Sequence, residues 1–188
     1  TRLFLRYVAV VAFVRDTPRH REMCASLLER FASSDSLGDI GICCKLCSLL
    51  PNAVEPSKIP LTELGRGIAA GEAPAEHHHW YDIGLAMACY RTGDWEQART
   101  SIRKAQSRED YDSQPEARAL ALSVLAMTEH QFRHSDEAAL ALNEACELLE
   151  QQWPMVFRDD APGSSWPAWP NWLIAITLHR EAATLLGQ

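Results

Sequence analysis

The side chains with the most chemical potential fall in short clusters. Cys43, Cys44 and Cys47 form a C-x-x-C, and His77, His78 and His79 stand in a row before Trp80. A zinc site on these cysteines needs a second ligand pair at a suitable distance, and none occurs. A redox C-x-x-C opens a helix after a strand, whereas this one lies inside an apolar helical pattern with no strand before it. Cys24, Cys89 and Cys146 lie in similar patterns. A free thiol there behaves as a small hydrophobe, so all six cysteines are expected as core thiols of a reducing, cytoplasmic compartment. Consecutive helical residues point about 100° apart, so the three histidines cannot converge on one ion from a helix, although two of them could from a loop. His130 and His134 have a spacing that zinc helices use, but they straddle an expected turn and no third ligand presents itself. No metal and no cofactor is expected.

The acid pairs Glu109-Asp110 and Asp159-Asp160 lie in polar linkers. General acid–base work needs a cleft and displaced pKa values, so these read as solvated loop charge. No Gly-rich phosphate loop, HRD-type loop or DFG-type motif occurs, and the chain reads as a non-enzyme. A net charge of −7 disfavours nucleic acid and anionic membrane surfaces, whose recognition depends on Lys and Arg. The apolar run Tyr7–Val14 is far short of the roughly 20 residues of a membrane span. Arg2, Arg6 and Arg15 flank it, but no small-residue cleavage pattern follows, so it reads as a first helix and not a signal peptide. Thr1 as the first residue raises the expectation of a longer parent chain.

The elements that would position these groups are all helical. A 3.6-residue period runs through nearly every segment and no convincing strand alternation appears. Helices are expected at about 2–14, 18–33, 37–50, 60–71, 78–92, 95–107, 114–132, 135–152 and 171–186. Pro18 suits a first helical turn, Ser34-Asp35-Ser36 and Asn171 suit N-caps, and Asp136-Glu137 suits the positive end of a helix dipole. The run 153–170 holds Pro154, Pro162, Pro167 and Pro170 and cannot be helix throughout.

The pattern repeats. Leu85-Ala86-Met87 recurs forty residues later as Leu125-Ala126-Met127, and Ala98, Ile102 and Ala105 recur as Ala138, Leu142 and Ala145. A helix pair per fixed period marks a helical repeat array, which presents surfaces to partners. Leu85-Ala86, Tyr90, Gly93-Asp94, Ala98, Ile102 and Ala105 resemble a tetratricopeptide repeat. The next repeat departs at Arg133, where glycine is usual, and the first helix pair departs at His20, where a small residue is usual. The strings LLERFASSD, CSLLPNAV, YRTGDWEQA and NWLIAITLHREAATLL resemble the tetratricopeptide-like C-terminal region of large serine/threonine protein kinases of planctomycete-type bacteria. That resemblance implies a regulatory or scaffolding appendage, with the kinase domain upstream and a peptide, another protein or that kinase domain as partner.

The expected architecture is one all-α domain over 1–188, a right-handed α-solenoid of about four helical hairpins plus a C-terminal capping helix. Hairpins 78–107 and 114–152 are clear, 2–33 and 37–71 degenerate, 153–170 a Trp/Pro-rich loop and 171–186 the cap. Registering the two clear repeats puts Ile83, Met87, Tyr90 and Arg91, then Ser123, Met127, His130 and Gln131, on one inner face. They either line a peptide groove or pack on a neighbouring or final helix. Trp153, Trp166 and Trp169 either wedge their loop onto the helices or form an exposed aromatic anchor. The competing class of function is an all-α metal- or small-ligand-binding domain using His and Cys.

Overall fold

The computed structural model describes residues 2–74, 77–156 and 169–188 and is helical throughout, with no strand among the described residues. The helices are α1 (Arg2–Phe13), α2 (Thr17–Phe31), α3 (Leu37–Cys47), α4 (Leu61–Ala69), α5 (His78–Thr92), α6 (Trp95–Gln106), α7 (Pro115–Gln131), α8 (Ser135–Val156) and α9 (Trp169–Leu186). Short 3-10 turns cover Pro56–Lys58 and Tyr111–Ser113.

Local signals account for most helix ends. Asp16, Ser36 and Asp94 each accept a hydrogen bond from a first-turn amide, satisfying a donor that the helix leaves orphaned. Three hairpin turns share one geometry. Arg15, Gly93 and Arg133 have φ of 60°, 83° and 63°. The next amide reaches back to the carbonyls of Val11, Cys89 and Glu129 respectively. This is the left-handed helix termination that glycine favours, adopted by arginine in two of the three turns. The sequence departure at Arg133 therefore leaves the turn intact.

Three expected boundaries are corrected. Helix α8 continues past Gln152 through Trp153 and Pro154 to Val156. Helix α9 begins at Trp169, because Pro170 fits a first turn without needing its missing N–H. Asn171 is thus inside the helix and not its cap; its Oδ1 accepts from Lys45 Nζ at 3.5 Å. Helix α3 ends at Cys47, earlier than Leu50. The carbonyls of Ser48 and Leu49 turn instead to the guanidinium of Arg91.

Helices α5 and α7 are apolar on most sides and sit innermost. Helix α5 packs on α3, α4, α6 and α7, while α7 packs on α5, α6, α8 and α9. Small residues allow these approaches: Ala86, Ala98, Ala126 and Ala138 are all fully buried. Gly41 and Gly84 face each other where α3 crosses α5; a Cβ on Gly84 would lie 3.5 Å from the Gly41 carbonyl oxygen. Helix α9 buries Trp172, Ile174 and Leu178 and packs on α7, α8 and also α1. The last helix thus meets the first, and the row α1, α3, α5, α7, α9 closes on itself.

His20 occupies in α2 the place of Ala98 in α6, and is fully buried. Its bulk is accommodated by Cys24, smaller than the matching Ile102, with the thiol sulfur 3.7 Å from the ring nitrogens. Lys45 is also buried, its ammonium 4.2 Å over the Trp80 ring. Burial lowers its pKa to about 8, opposed by Glu116.

Candidate functional site

The eight residues expected on an inner face divide into two groups. Ile83, Met87, Ser123 and Met127 are buried in the core, because α3 and α9 pack onto α5 and α7. An open groove along all eight is therefore corrected to a packed interior. Tyr90, Arg91, His130 and Gln131 are half-buried and lie in the last turns of α5 and α7. Of these eight residues, the four at this end of the helices are the ones that remain accessible.

Two adjoining pockets occur there. One, of about 310 Å³, is lined by Leu50, Val54, Ile59, Tyr90, Trp95 and Gln131, with Arg91 on its wall. The other, about 450 Å³ and largely apolar, is lined by Phe13, Leu50, Thr177, Arg180, Thr184 and Leu185, with Glu181 on its wall. Leu50 and Pro51 belong to both. The pockets are bordered by the C-terminal parts of α1 at Phe13, α5 at Arg91, α7 at Gln131 and α9 at Glu181 and by the segment after α3, together with the first residues of α2 and α6, Thr17 and Trp95.

The partition between the pockets is polar. Arg91 donates from Nε to the Ser48 carbonyl at 2.8 Å and from Nη2 to the Leu49 carbonyl at 3.2 Å. Its two terminal nitrogens also pair with the Glu181 carboxylate. Arg91 is thereby committed to holding α3, α5 and α9 together, and it binds carbonyls that the end of α3 leaves unsatisfied. Tyr90 is freer. Gln131 Nε2 donates to its phenol oxygen at 3.4 Å, and burial is the main cause that raises its pKa. Across the second pocket the Arg180 guanidinium stacks 4.6 Å over Phe13. Apolar walls with a phenol and an amide at the rim suit an apolar side chain of a peptide whose backbone bonds at the edge.

The thiols behave largely as core. Cys24, Cys43, Cys44, Cys47 and Cys89 are buried, and all six cysteines are free. Burial raises the pKa of Cys43 and Cys89 to about 12. Cys24 differs: a hydrogen bond with Cys47 and the neighbouring His20 lower its pKa. Among the described residues, no group of three His, Cys, Asp or Glu could hold a metal ion. The histidine row disperses: His78 bonds the Ala73 carbonyl at 2.6 Å, and His79 turns inward to Asp110 at 3.0 Å. His134 pairs with Glu129 at 2.8 Å.

Comparison with protein-family models, with curated proteins and with solved structures finds no match for this chain. Of the tryptophans expected as an anchor, Trp169 is half-buried and packs on the core. The Trp153 side chain and Trp166, with Asp159-Asp160, lie outside the described residues. Leu50, Pro51, Trp95 and Glu181 are site residues that sequence reading missed. Trp95 directly follows the Gly93-Asp94 turn and Pro51 lies four residues past the last residue of α3, so position near a helix end was the available signal. Glu181 carries no such signal, since its partner is ninety residues away.

Proposed function

We propose that this chain is a protein-interaction module, a tetratricopeptide-like array whose partner peptide enters the two pockets beside Tyr90 and Gln131. The observation carrying this reading is the convergence of helix ends and the segment after α3 on adjoining, half-open pockets with apolar walls and a polar rim. The shared turn geometry at Arg15, Gly93 and Arg133 supports the repeat reading by extending it to a hairpin whose sequence is degenerate. The kinase-tail resemblance adds a setting: a cytoplasmic regulatory appendage of a larger signalling protein, with the partner a peptide, another protein or its own kinase domain. No helix among the described residues is long and apolar enough to cross a membrane.

Display selection from a random peptide library on the purified protein tests this. The expected result is an enriched motif with one or two apolar anchors that binds the native protein and fails on a Tyr90→Ala, Gln131→Ala variant of unchanged melting temperature. Equal capture of the selected peptides by both proteins overturns it.

A further inference from the structure

Among the described residues six large apolar side chains are notably exposed, and four of them follow one line along α1 and into the turn after it: Leu3 at 79 %, Tyr7 at 52 % and Val10 at 37 % on the helix, and Val14 at 63 % just past its end. Their spacing is four, three, four, the seam by which one helix receives another. The opposite side of α1 buries Val8, Ala9, Val11 and Ala12 against the core. The helix is therefore apolar on two faces and partnered by the rest of the fold on one. Scattered exposed apolar residues need no explanation, but a continuous stripe marks an interaction surface. Beside the stripe a recess of about 340 Å³ opens between α1 and α2, lined by Leu3, Phe4, Tyr7 and Met23. That recess is large enough to take side chains from an approaching helix.

Charge selects the occupant. Residues 2–15 contain Arg2, Arg6 and Arg15 and no acid, in a chain of net charge −7. Arg6 and Arg15 are exposed beside the stripe. At the recess rim Arg19 is already paired with Glu22 at 2.6 Å. A second copy meeting this face would set one basic flank against another. An anionic bilayer would meet the basic flank, but also the acidic remainder of the molecule, and it has no side chains to fill the recess. We propose that the outer face of α1 docks an amphipathic helix of a partner protein, with apolar residues at four–three–four spacing and acidic residues flanking them. The apolar stripe lines neither of the two pockets of the candidate site, although Arg15 borders the second of them, and the proposal does not depend on their reading.

The test uses two synthetic helical peptides of identical apolar seam, with leucines at i, i+4, i+7 and i+11. One is flanked by Glu and the other by Lys, and binding is read by fluorescence anisotropy at low salt. The Glu-flanked peptide should bind at least about tenfold more tightly, and its affinity should fall as salt screens the flanks. A Val10→Ser, Val14→Ser variant should lose binding about tenfold or more, with its circular dichroism unchanged because both sites are exposed. Arg6→Glu should weaken the Glu-flanked peptide and strengthen the Lys-flanked one. Equal affinity for the two peptides, or no binding of either, overturns the proposal. A concentration-dependent dimer that Val10→Lys dissolves assigns the face to a second copy and also overturns it. Flotation with phosphatidylserine vesicles that the Val10→Ser, Val14→Ser variant abolishes, without peptide binding, assigns it to a membrane and overturns it equally.

Discussion

Arg91 on α5 and Glu181 on α9 meet through two parallel contacts, Nη1 to Oε1 at 2.5 Å and Nη2 to Oε2 at 2.6 Å, although ninety residues separate them. The pair is mostly buried, and the remaining guanidinium donors satisfy the Ser48 and Leu49 carbonyls. Removing Arg91 leaves the Glu181 charge without its counter-ion and two carbonyls without donors. Arg91→Ala should destabilise the fold by about 3 kcal/mol or more, read from urea denaturation. Glu181→Gln, which keeps the shape and some hydrogen bonding, should cost less. Equal stability of Arg91→Ala and the native protein would show that the α5–α9 contact does not hold the fold closed.

The crossing of α3 over α5 predicts opposite effects for two glycines. A Cβ on Gly41 would lie 3.0 Å from Cδ1 of Tyr81, whereas one on Gly65 meets nothing within 4 Å. Gly65→Ala should stabilise by up to about 1 kcal/mol, because alanine is the better helix former in an open position. Gly41→Leu should destabilise by about 1–3 kcal/mol by overpacking the crossing. Thermal melts of both variants give the comparison directly.

Ala98 is fully buried where α6 meets α5, while Thr100 on the same helix is exposed. Ala98→Leu should cost about 1–3 kcal/mol and Thr100→Leu almost nothing. Equal tolerance of the two changes would place the helix pair in a different register.

The helices, the Ser36 cap and the small residues at their crossings were legible in the sequence, since each is set by local periodicity or by residues at a helix end, whereas Asp16 and Asp94 read as turn residues and Asn171 as a cap it is not. His78–Thr92, for example, follows from its apolar pattern and from Gly93. The expected open face was not realised because its fate is decided by remote elements. Nothing near Met87 or Met127 announces that α3 and α9 will cover them, and the Arg91–Glu181 pairing has no sequence-local trace. The position of the turn between α1 and α2, after residue 14, was legible, but its left-handed geometry escaped, because an arginine carries none of the signal that glycine gives.

Buried histidines set a pH dependence. The pKa of His79 is lowered chiefly by burial, opposed by Asp110, and that of His179 is lowered chiefly by burial. Their neutral forms are favoured in the folded state, so the unfolded chain binds more protons around its own pKa of about 6.5. Their contribution is present above that pH and is lost as the pH falls through the lower folded values. Asp82 and Glu116, raised by burial, act in the opposite sense at lower pH, with stability lost as the pH rises through their folded values. Melting temperature should therefore fall between pH 7.5 and about 6, as the histidines take up protons in the unfolded chain and Cys24, whose pKa is lowered by its hydrogen bond with Cys47 and by His20, adds in the same direction. His79→Gln should flatten that slope; an unchanged slope would remove His79 as its source.

The most direct measurement of the interaction function is photo-crosslinking from a peptide selected by display, carrying a photoreactive group at its apolar anchor, with the adducts mapped by mass spectrometry. Adducts should fall on the segment Leu50–Ile59 and on Tyr90, Trp95 or Gln131, the lining of the pocket where α5 and α7 end. Adducts confined to other surfaces, or scattered with no dependence on Tyr90, would contradict the assignment of this end of the molecule as the place where a partner binds.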